Sequence, residues 1–170
     1  IVDNLSNSKK EVVDNIEKIT GVRPKFECFD LANRELTRDF FSRNKNIDAI
    51  IHFAAFKAVG ESVQKPLEYY RNNLTALMNL LECMKDFNVN NFVFSSSCTV
   101  YGQPEKLPVT ESTPRRPAES PYGNTKAIAK ILEGKTVTYI YDTLRGNTCG
   151  FRNTSCADQL AIAVKEAYDN

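Results

Sequence analysis

Apolar runs of strand length recur along this chain and limit the folds that it can adopt. The two clearest are residues 48–55, DAIIHFAA, and residues 91–96, NFVFSS. Continuous apolar runs of this length are typical of strands that are buried on both faces, as in a parallel sheet. We therefore expect both segments to be strands inside an α/β domain.

Amphipathic segments lie between these runs and have the spacing of helices. The predicted helices cover residues 9–20, 31–44, 67–87, 122–132 and 158–168, and the remaining strands cover residues 1–3, 25–30 and 136–141. Residues 103–121 contain five prolines and are predicted to be a loop. This alternation predicts a Rossmann-like parallel sheet with helices on both faces, which binds ligands at the carboxyl ends of its strands.

Length and charge exclude several classes of partner. The 170 residues suffice for one domain, and a net charge of +1 argues against a broad surface for nucleic acid or anionic lipid. No apolar run approaches the roughly 18 residues of a membrane span. We therefore expect a cytoplasmic protein that binds neither nucleic acid nor membranes.

The five cysteines and the single histidine lack the pattern of a metal site. An odd number of cysteines without a CxxC pair favours reduced cytosolic thiols over a disulfide framework. His52 stands among apolar residues. That setting favours a structural role over zinc binding or a nucleophile triad.

Tyr122 and Lys126 form a YxxxK pattern at the start of a predicted helix. Residues four apart lie on the same helical face, and an ammonium beside a phenol favours the phenolate. A tyrosine activated in this way is usable as a general base. The alternative is a tyrosine and a lysine that both lie on the surface without a catalytic role.

A hydroxyl-rich segment, SSSCTVYG at residues 95–102, follows the second apolar run. Hydroxyl groups at the carboxyl end of a buried strand point into the expected ligand crevice. The alternative is a polar turn that caps the next element. Ser97 lies 25 residues before Tyr122, and a Ser/Thr cluster at this distance before YxxxK is the catalytic arrangement of short-chain dehydrogenases.

Asp3 and Asn4 end the first predicted strand. In a Rossmann unit, an acidic residue at this place hydrogen-bonds the adenosine ribose of a dinucleotide. A simple Asx turn is the alternative.

With these motifs in place, residues 1 to about 130 resemble the extended short-chain dehydrogenase/reductase family, and specifically its UDP-glucose 4-epimerases. The matching stretches are VDNLSNS (2–8), IHFAAFKAVGESV (51–63), KPLEYYRNN (65–73), FVFSSSCTVYG (92–102) and SPYGNTK (120–126). The KAVGES and SSSCTVYG segments together are the most specific for the 4-epimerases.

The resemblance implies a catalytic set and an NAD site. Tyr122 would be the catalytic base, Lys126 would hold the nicotinamide ribose, and Ser97 and Thr99 would contact the sugar of a UDP-sugar substrate. The residues implied around the adenosine ribose are Asp3, Asn4, Asn7 and Ser8. Those implied beside the adenine are Asp30 and Leu31, and those implied along the rest of the cofactor groove are Phe53, Ala54, Ala55, Lys57 and Asn72. The family also implies a possible homodimer.

The sequence departs from the family pattern at its two ends. The family begins with a strand and a GxGxxG-type loop that seats the cofactor pyrophosphate, and this sequence starts after that unit. Without that strand, the first and third strands here are expected to be unpaired on one side. We expect a partial NAD-binding Rossmann domain over residues 1–132. Residues 133–170 are expected to form a C-terminal segment with the substrate domain largely missing.

Three hypotheses about function remain open at this point. The first is an epimerase that interconverts UDP-glucose and UDP-galactose with NAD. The second is an inactive or partial epimerase-derived domain that acts as a binding or interaction module. The third is a related dehydratase or decarboxylase. Against the third, Cys98, Thr99 and Val100 include no acidic residue of the kind that dehydratases tend to place there.

Overall fold

The computed structural model describes residues 1–132. The strands are β1 (Val2–Asp3), β2 (Glu27–Cys28), β3 (Ala49–His52) and β4 (Asn91–Phe94). The helices are α1 (Glu11–Thr20), α2 (Arg34–Arg43), α3 (Val59–Gln64), α4 (Pro66–Asp86) and α5 (Pro121–Leu132). The strand predicted at 136–141, the helix predicted at 158–168 and the expected C-terminal segment lie outside the described residues.

Local sequence signals set several helix ends. Asn33 caps α2, because its side chain accepts a hydrogen bond from the Leu36 amide at 3.1 Å. Helix α1 ends at Gly21, which has a φ of +73° that a side chain would disfavour. Pro66 stands in the first turn of α4, where its missing amide hydrogen leaves no helical bond unmade.

The strands pair in parallel, which confirms the predicted α/β class. β1 pairs with β2, and β3 pairs with β4 through a register that sets Ile51 opposite Val93. Within residues 1–132, β1 and β3 each have one partner strand, and the two pairs form separate sheets. The expectation that these two strands are unpaired on one side therefore holds for the described part of the chain.

The prediction that β3 and β4 are buried on both faces is wrong for this structure. Ile51 is 63% exposed and Val93 is 56% exposed. Ile50 and Phe92, which alternate with them along the strands, pack against the core beneath α4. Within the described residues, only one face of this sheet packs against the core, so the side chains that alternate to the other face are exposed.

The core of this half of the molecule lies between α2, α4 and the β3–β4 sheet. Phe41 of α2 packs with Leu80 and Cys83 of α4 and with Val89, and all four are at least 95% buried. Helix α4 supplies the largest share of buried side chains in the described residues, from Tyr69 to Cys83. By contrast, α1 buries only Val13, and Ile19 on the apolar side of its predicted pattern is 84% exposed.

Two short elements were not predicted. Helix α3 begins within the KAVGES segment and continues to Gln64, and a single turn of 3-10 helix covers Cys98–Tyr101. Neither is long enough to produce a periodic apolar pattern in the sequence. Among the described residues no helix has the length and apolar character needed to cross a membrane, and the thiols of Cys28, Cys83 and Cys98 are free.

Protonation of His52 is expected to make the stability of the fold depend on pH. His52 is 3% exposed, and its ring lies 5.8 Å from that of Phe94 and 6.1 Å from that of Phe92. Burial, aided by the charge of Lys126, lowers the pKa of His52 from 6.5 to about 4. Between those two values the unfolded chain binds a proton that the folded chain does not, so stability falls as pH falls through this window. The full loss is on the order of 3 kcal/mol.

Urea unfolding at a series of pH values between 4.5 and 6.5 measures this slope. His52→Leu removes the chain's single imidazole and should flatten the slope, while the wild-type protein keeps it. The carboxyls of Glu27 and Glu61, whose pKa values are lowered by their hydrogen-bonding partners, contribute only at the acid end of this range and contribute equally in both proteins. Equal slopes for both proteins would contradict the assignment to His52.

Candidate active site

A groove opens where β1, β2 and β3 end. Its walls come from the segments that follow these strands and from one side of α4. The lining residues are Val2, Asp3, Asn4, Ser6, Asn7, Phe29, Asp30, Leu31, Ala54, Ala55, Phe56, Asn72 and Ala76. The carboxyl ends of parallel strands meet at one edge of a sheet, which is why segments so distant in sequence share this groove.

The segment after β1 fixes a carboxylate at the rim of the groove. Asp3 Oδ1 accepts hydrogen bonds from the Leu5 amide at 2.6 Å and from Ser8 Oγ at 2.7 Å. Asn4 Oδ1 accepts from the Ser6 amide at 3.0 Å. These two Asx turns order the backbone, so Asp3 and Asn4 serve a turn and line the groove at the same time.

The segment that follows β2 forms a second wall of the groove, and a buried side-chain amide of α4 holds it in place. Asn79 is 5% exposed, and its Nδ2 donates to the carbonyl of Leu31 at 2.7 Å. Thr37 Oγ1 donates to the same carbonyl at 3.1 Å. Asp30 Oδ1 accepts from the Ala32 amide at 2.8 Å, so the Asp30 and Leu31 backbone is fixed beside the groove.

Of the residues predicted to line the groove after β3, some do so and others do not. Ala54 and Ala55 line the groove, as does Asn72 from α4. Phe53 is 72% exposed, and Lys57 is also exposed. Neither is among the groove-lining residues, and Ser8 reaches the groove only through its bond to Asp3.

Tyr122 and Lys126 lie on α5, and both are buried. Tyr122 is 8% exposed and Lys126 is 4% exposed. Lys126 Nζ donates to the carbonyl of Ser95 at 2.8 Å and sits 4.7 Å from the centre of the Phe94 ring. Burial lowers the pKa of Lys126 from 10.5 to about 8. Perturbed pKa values cluster at functional sites, which makes Lys126 a candidate functional residue.

Ser97 and Thr99 form the turn that follows β4. Ser97 Oγ accepts from the Thr99 amide at 3.3 Å and from Thr99 Oγ1 at 3.0 Å, so Ser97 caps the 3-10 turn. The first turn of α5 is pressed against this segment. A Cβ placed on Gly123 would lie 2.9 Å from Ala118 Cβ and 3.4 Å from Thr99 Cβ. The structure therefore brings Thr99 beside the residue that follows Tyr122.

Several residues of this region were missed by sequence reasoning. Ser6 and Phe56 line the groove, while Asn73 and Thr125 form a buried hydrogen-bonded pair beneath it. Asn73 could have been noticed in the sequence, because it is a polar residue at a position where the apolar periodicity of α4 predicts a buried side chain. Thr125 is adjacent to Lys126, yet nothing in the spacing distinguishes it from an exposed threonine.

The region combines the groups needed for proton transfer on a polar ligand. A phenol, a primary amine with a lowered pKa and two hydroxyls lie at the carboxyl end of one parallel sheet. The amine and the hydroxyls are held by backbone carbonyl and capping contacts, so little reorganisation is needed when a ligand binds. The adjoining groove is lined by both polar and apolar side chains, as ligand sites usually are.

Comparison with known proteins assigns this arrangement to a family. The family model described as GDP-mannose 4,6 dehydratase matches residues 1–159. The chain belongs to this family. Within it, the chain is similar to proteins named UDP-glucose 4-epimerase, which confirms the resemblance drawn from its motifs.

The relatives match most of this chain and a smaller part of their own length. The UDP-glucose 4-epimerase of Schizosaccharomyces pombe is 52% identical over 141 residues, which is 80% of this chain and 39% of that protein. The crystal structure of UDP-glucose 4-epimerase from Bifidobacterium longum in complex with NAD+ and UDP has a TM-score of 0.73 at 46% identity, covering 77% of this chain and 39% of that one. The enzyme from Stenotrophomonas maltophila with bound NAD and formylated UDP-arabinopyranose has a TM-score of 0.72 at 42% identity, covering 78% and 39%. The chain thus spans about two fifths of these relatives.

Gly102 is expected to be essential for the geometry of the turn that carries Ser97 and Thr99. Its φ is +58°, and an added Cβ would lie 2.7 Å from the carbonyl oxygen of Pro117. Gly102→Ala should therefore lower the free energy of unfolding by about 2 kcal/mol or more, through strain and a backbone clash.

Gly60→Ala is the matched control. Gly60 lies in α3, and a Cβ added to it would have no heavy atom within 4 Å, so alanine should raise the free energy of unfolding by about 0.5–1 kcal/mol. Urea unfolding of both variants checks the pair. A Gly102→Ala protein as stable as the wild type would show that the loop accommodates the side chain.

Proposed function

We propose that this chain supplies the catalytic and cofactor-binding residues for the NAD-dependent interconversion of UDP-glucose and UDP-galactose, by reversible oxidation at sugar C4. The observation that carries the proposal is the placement of Lys126 against the Ser95 carbonyl, on the helix of Tyr122 and beside the Ser97–Thr99 turn. The similarity to UDP-glucose 4-epimerases supports the same assignment.

The groove offers groups that suit the adenosine half of a dinucleotide. The Asp3 carboxylate, oriented by Leu5 and Ser8, suits the hydroxyls of the adenosine ribose. Phe29 and Leu31 offer an apolar wall for the adenine. Asn72 lines the end nearer to α5, where we place the nicotinamide half. When bound, NAD would supply a hydride acceptor and donor for sugar C4, a chemistry that amino-acid side chains lack.

The residues of the chain would supply the proton transfer and the orientation of the sugar. Tyr122 would take the proton of the sugar 4-hydroxyl as a general base and return it when the sugar is reduced again. Ser97 would donate a hydrogen bond to the 4-oxygen, and Thr99, whose hydroxyl donates to Ser97 Oγ, would contact the sugar beside it. Lys126 would favour negative charge on the phenol and hold a ribose hydroxyl of the cofactor.

A dehydratase is less well supported, although the matched family model carries that description. The segment Cys98–Val100 places no carboxylate after Ser97, and elimination of water from a sugar needs acid and base groups in addition to the phenol.

We further propose a cytoplasmic location, which the free thiols support, and assembly as a homodimer, which the family resemblance implies.

Tyr122→Phe tests the proposed base. The variant should lower the rate of conversion of UDP-galactose to UDP-glucose by roughly 100-fold or more, because the proton acceptor is lost while the ring remains. Binding of NAD, followed by calorimetry, should change little. Conversion is measured by chromatography of the nucleotide sugars.

Tyr70→Phe is the control for this variant. Tyr70 on α4 loses only a part-buried contact of 3.3 Å with Asn124 Nδ2, and its activity should match the wild type. If Tyr122→Phe retains wild-type turnover, Tyr122 is not the base. If the wild-type chain with added NAD shows no turnover, the proposed activity of this chain is overturned.

A second candidate function is an interaction module without catalysis. It is favoured by the apolar surface formed by Ile51, Phe53 and Val93, which are each more than half exposed. This function would be supported if the chain has no turnover but forms a stable complex through this surface. The substitution Ile51→Asp should then abolish the complex. A catalytically active chain would argue against it.

A further inference from the structure

Thr125 occupies an unusual position between Tyr122 and Lys126. It is 1% exposed, and its hydroxyl makes two short hydrogen bonds. Oγ1 donates to the carbonyl of Tyr122 at 2.7 Å and accepts from Asn73 Nδ2 at 3.0 Å. A hydroxyl that is fully buried and bonded on both sides has a fixed orientation, because rotating it would leave a buried polar group without a partner.

Asn73 extends this contact to a third segment. It is 6% exposed, its Oδ1 accepts from the Phe56 amide at 2.8 Å, and its Nδ2 also donates to the Phe56 carbonyl at 3.0 Å. Both hydrogens of the amide are therefore engaged, one by Phe56 and one by Thr125. The pair joins α5, α4 and the segment after β3, which forms part of the groove wall.

The two hydrogen bonds of Thr125 link the orientation of α5 to that of α4. A threonine bonded to the carbonyl three residues earlier has its side-chain rotamer fixed relative to its own helix. The bond to Asn73 then fixes that rotamer relative to α4. Among the described residues, a second side-chain hydrogen bond between the two helices, from Asn124 to Tyr70, is longer at 3.3 Å and only part-buried.

We propose that Thr125 is a positioning residue, whose hydroxyl sets the rotation of α5 on α4 and so holds Lys126 Nζ against the Ser95 carbonyl at the end of β4. The role of Thr125 in catalysis rests on the proposed function, whereas its effect on the placement of Lys126 does not. Lys126 follows Thr125 directly, so a small rotation of α5 about its axis moves Nζ away from both Ser95 and the Phe94 ring.

Thr125→Val is the variant that tests this role, because valine keeps the shape and removes the hydroxyl. Lysine labelled with 13C at Cε reports the titration of Lys126, and the signal is assigned by its absence in Lys126→Arg. The wild-type amine should titrate at about 8, and Thr125→Val should move it upward by one unit or more as Nζ gains solvent. Thr125→Ser, which retains the hydroxyl, should restore the wild-type value.

Thr37→Val is the matched control for loss of a buried hydroxyl. Thr37 is fully buried on α2, and its Oγ1 donates to two backbone carbonyls, Leu31 and Asn33. Its variant should lose stability without moving the Lys126 titration. His52 of β3, which interacts with Lys126, has a pKa lowered to about 4 and stays neutral throughout the measured range. Tyr122 is the ionisable residue one turn before Lys126 on the same helix. The titrations are repeated in Tyr122→Phe protein to separate the amine from the phenol.

The outcomes separate the two proposals. A folded Thr125→Val protein with the wild-type titration, or a Thr37→Val protein with the same shift, overturns the positioning role. If Thr125→Val does not fold, Thr125→Cys, which replaces the hydroxyl by a more weakly hydrogen-bonding thiol, should give an intermediate shift, and a wild-type titration there also overturns the role. With NAD and UDP-galactose, Thr125→Val should lower kcat about tenfold to a hundredfold with little change in KM. A shifted titration in a chain without turnover would leave the positioning role standing and reject the proposed function.

Discussion

The buried side of α4 is the feature on which the rest of the structure depends. Its apolar residues, among them Leu80 and Cys83, close the core against α2 and one face of the β3–β4 sheet. Two asparagines on the same helix, Asn73 and Asn79, are buried with them and direct their amides at backbone groups on the two sides of the groove. Because unpaired amides are costly in a core, these contacts fix α4 and the groove walls relative to one another.

The same helix links the groove to the groups suited to proton transfer. Asn72 lines the groove, and the next residue, Asn73, bonds to Thr125 on the helix of Tyr122 and Lys126. A ligand in the groove would therefore rest on the same framework that orients the amine. This arrangement lets a site assembled from distant segments keep the fixed geometry that catalysis by positioned groups requires.

Much of this site could be predicted from the sequence. The alternation of strands and helices indicated the parallel pairing, and the YxxxK and SSSCTVYG motifs led to the buried Lys126 and the Ser97–Thr99 turn. The burial of Ile51 and Val93 was predicted wrongly, because an apolar run reveals the preference of its residues and not which faces a helix covers. Helix α3 was missed because six residues are too few to show a period.

The sequence by itself determined the class of fold and the family and singled out the candidate site residues, because these depend on local patterns and short motifs. The tertiary structure decided which of those residues share a surface, placing Ala54 and Ala55 in the groove while Phe53 is exposed. It also decided the pKa of Lys126 and the partners of Thr125. Those properties arise from desolvation and from hydrogen bonds between residues that are some 30 to 50 positions apart in the chain, as Lys126 is from Ser95 and Thr125 is from Asn73.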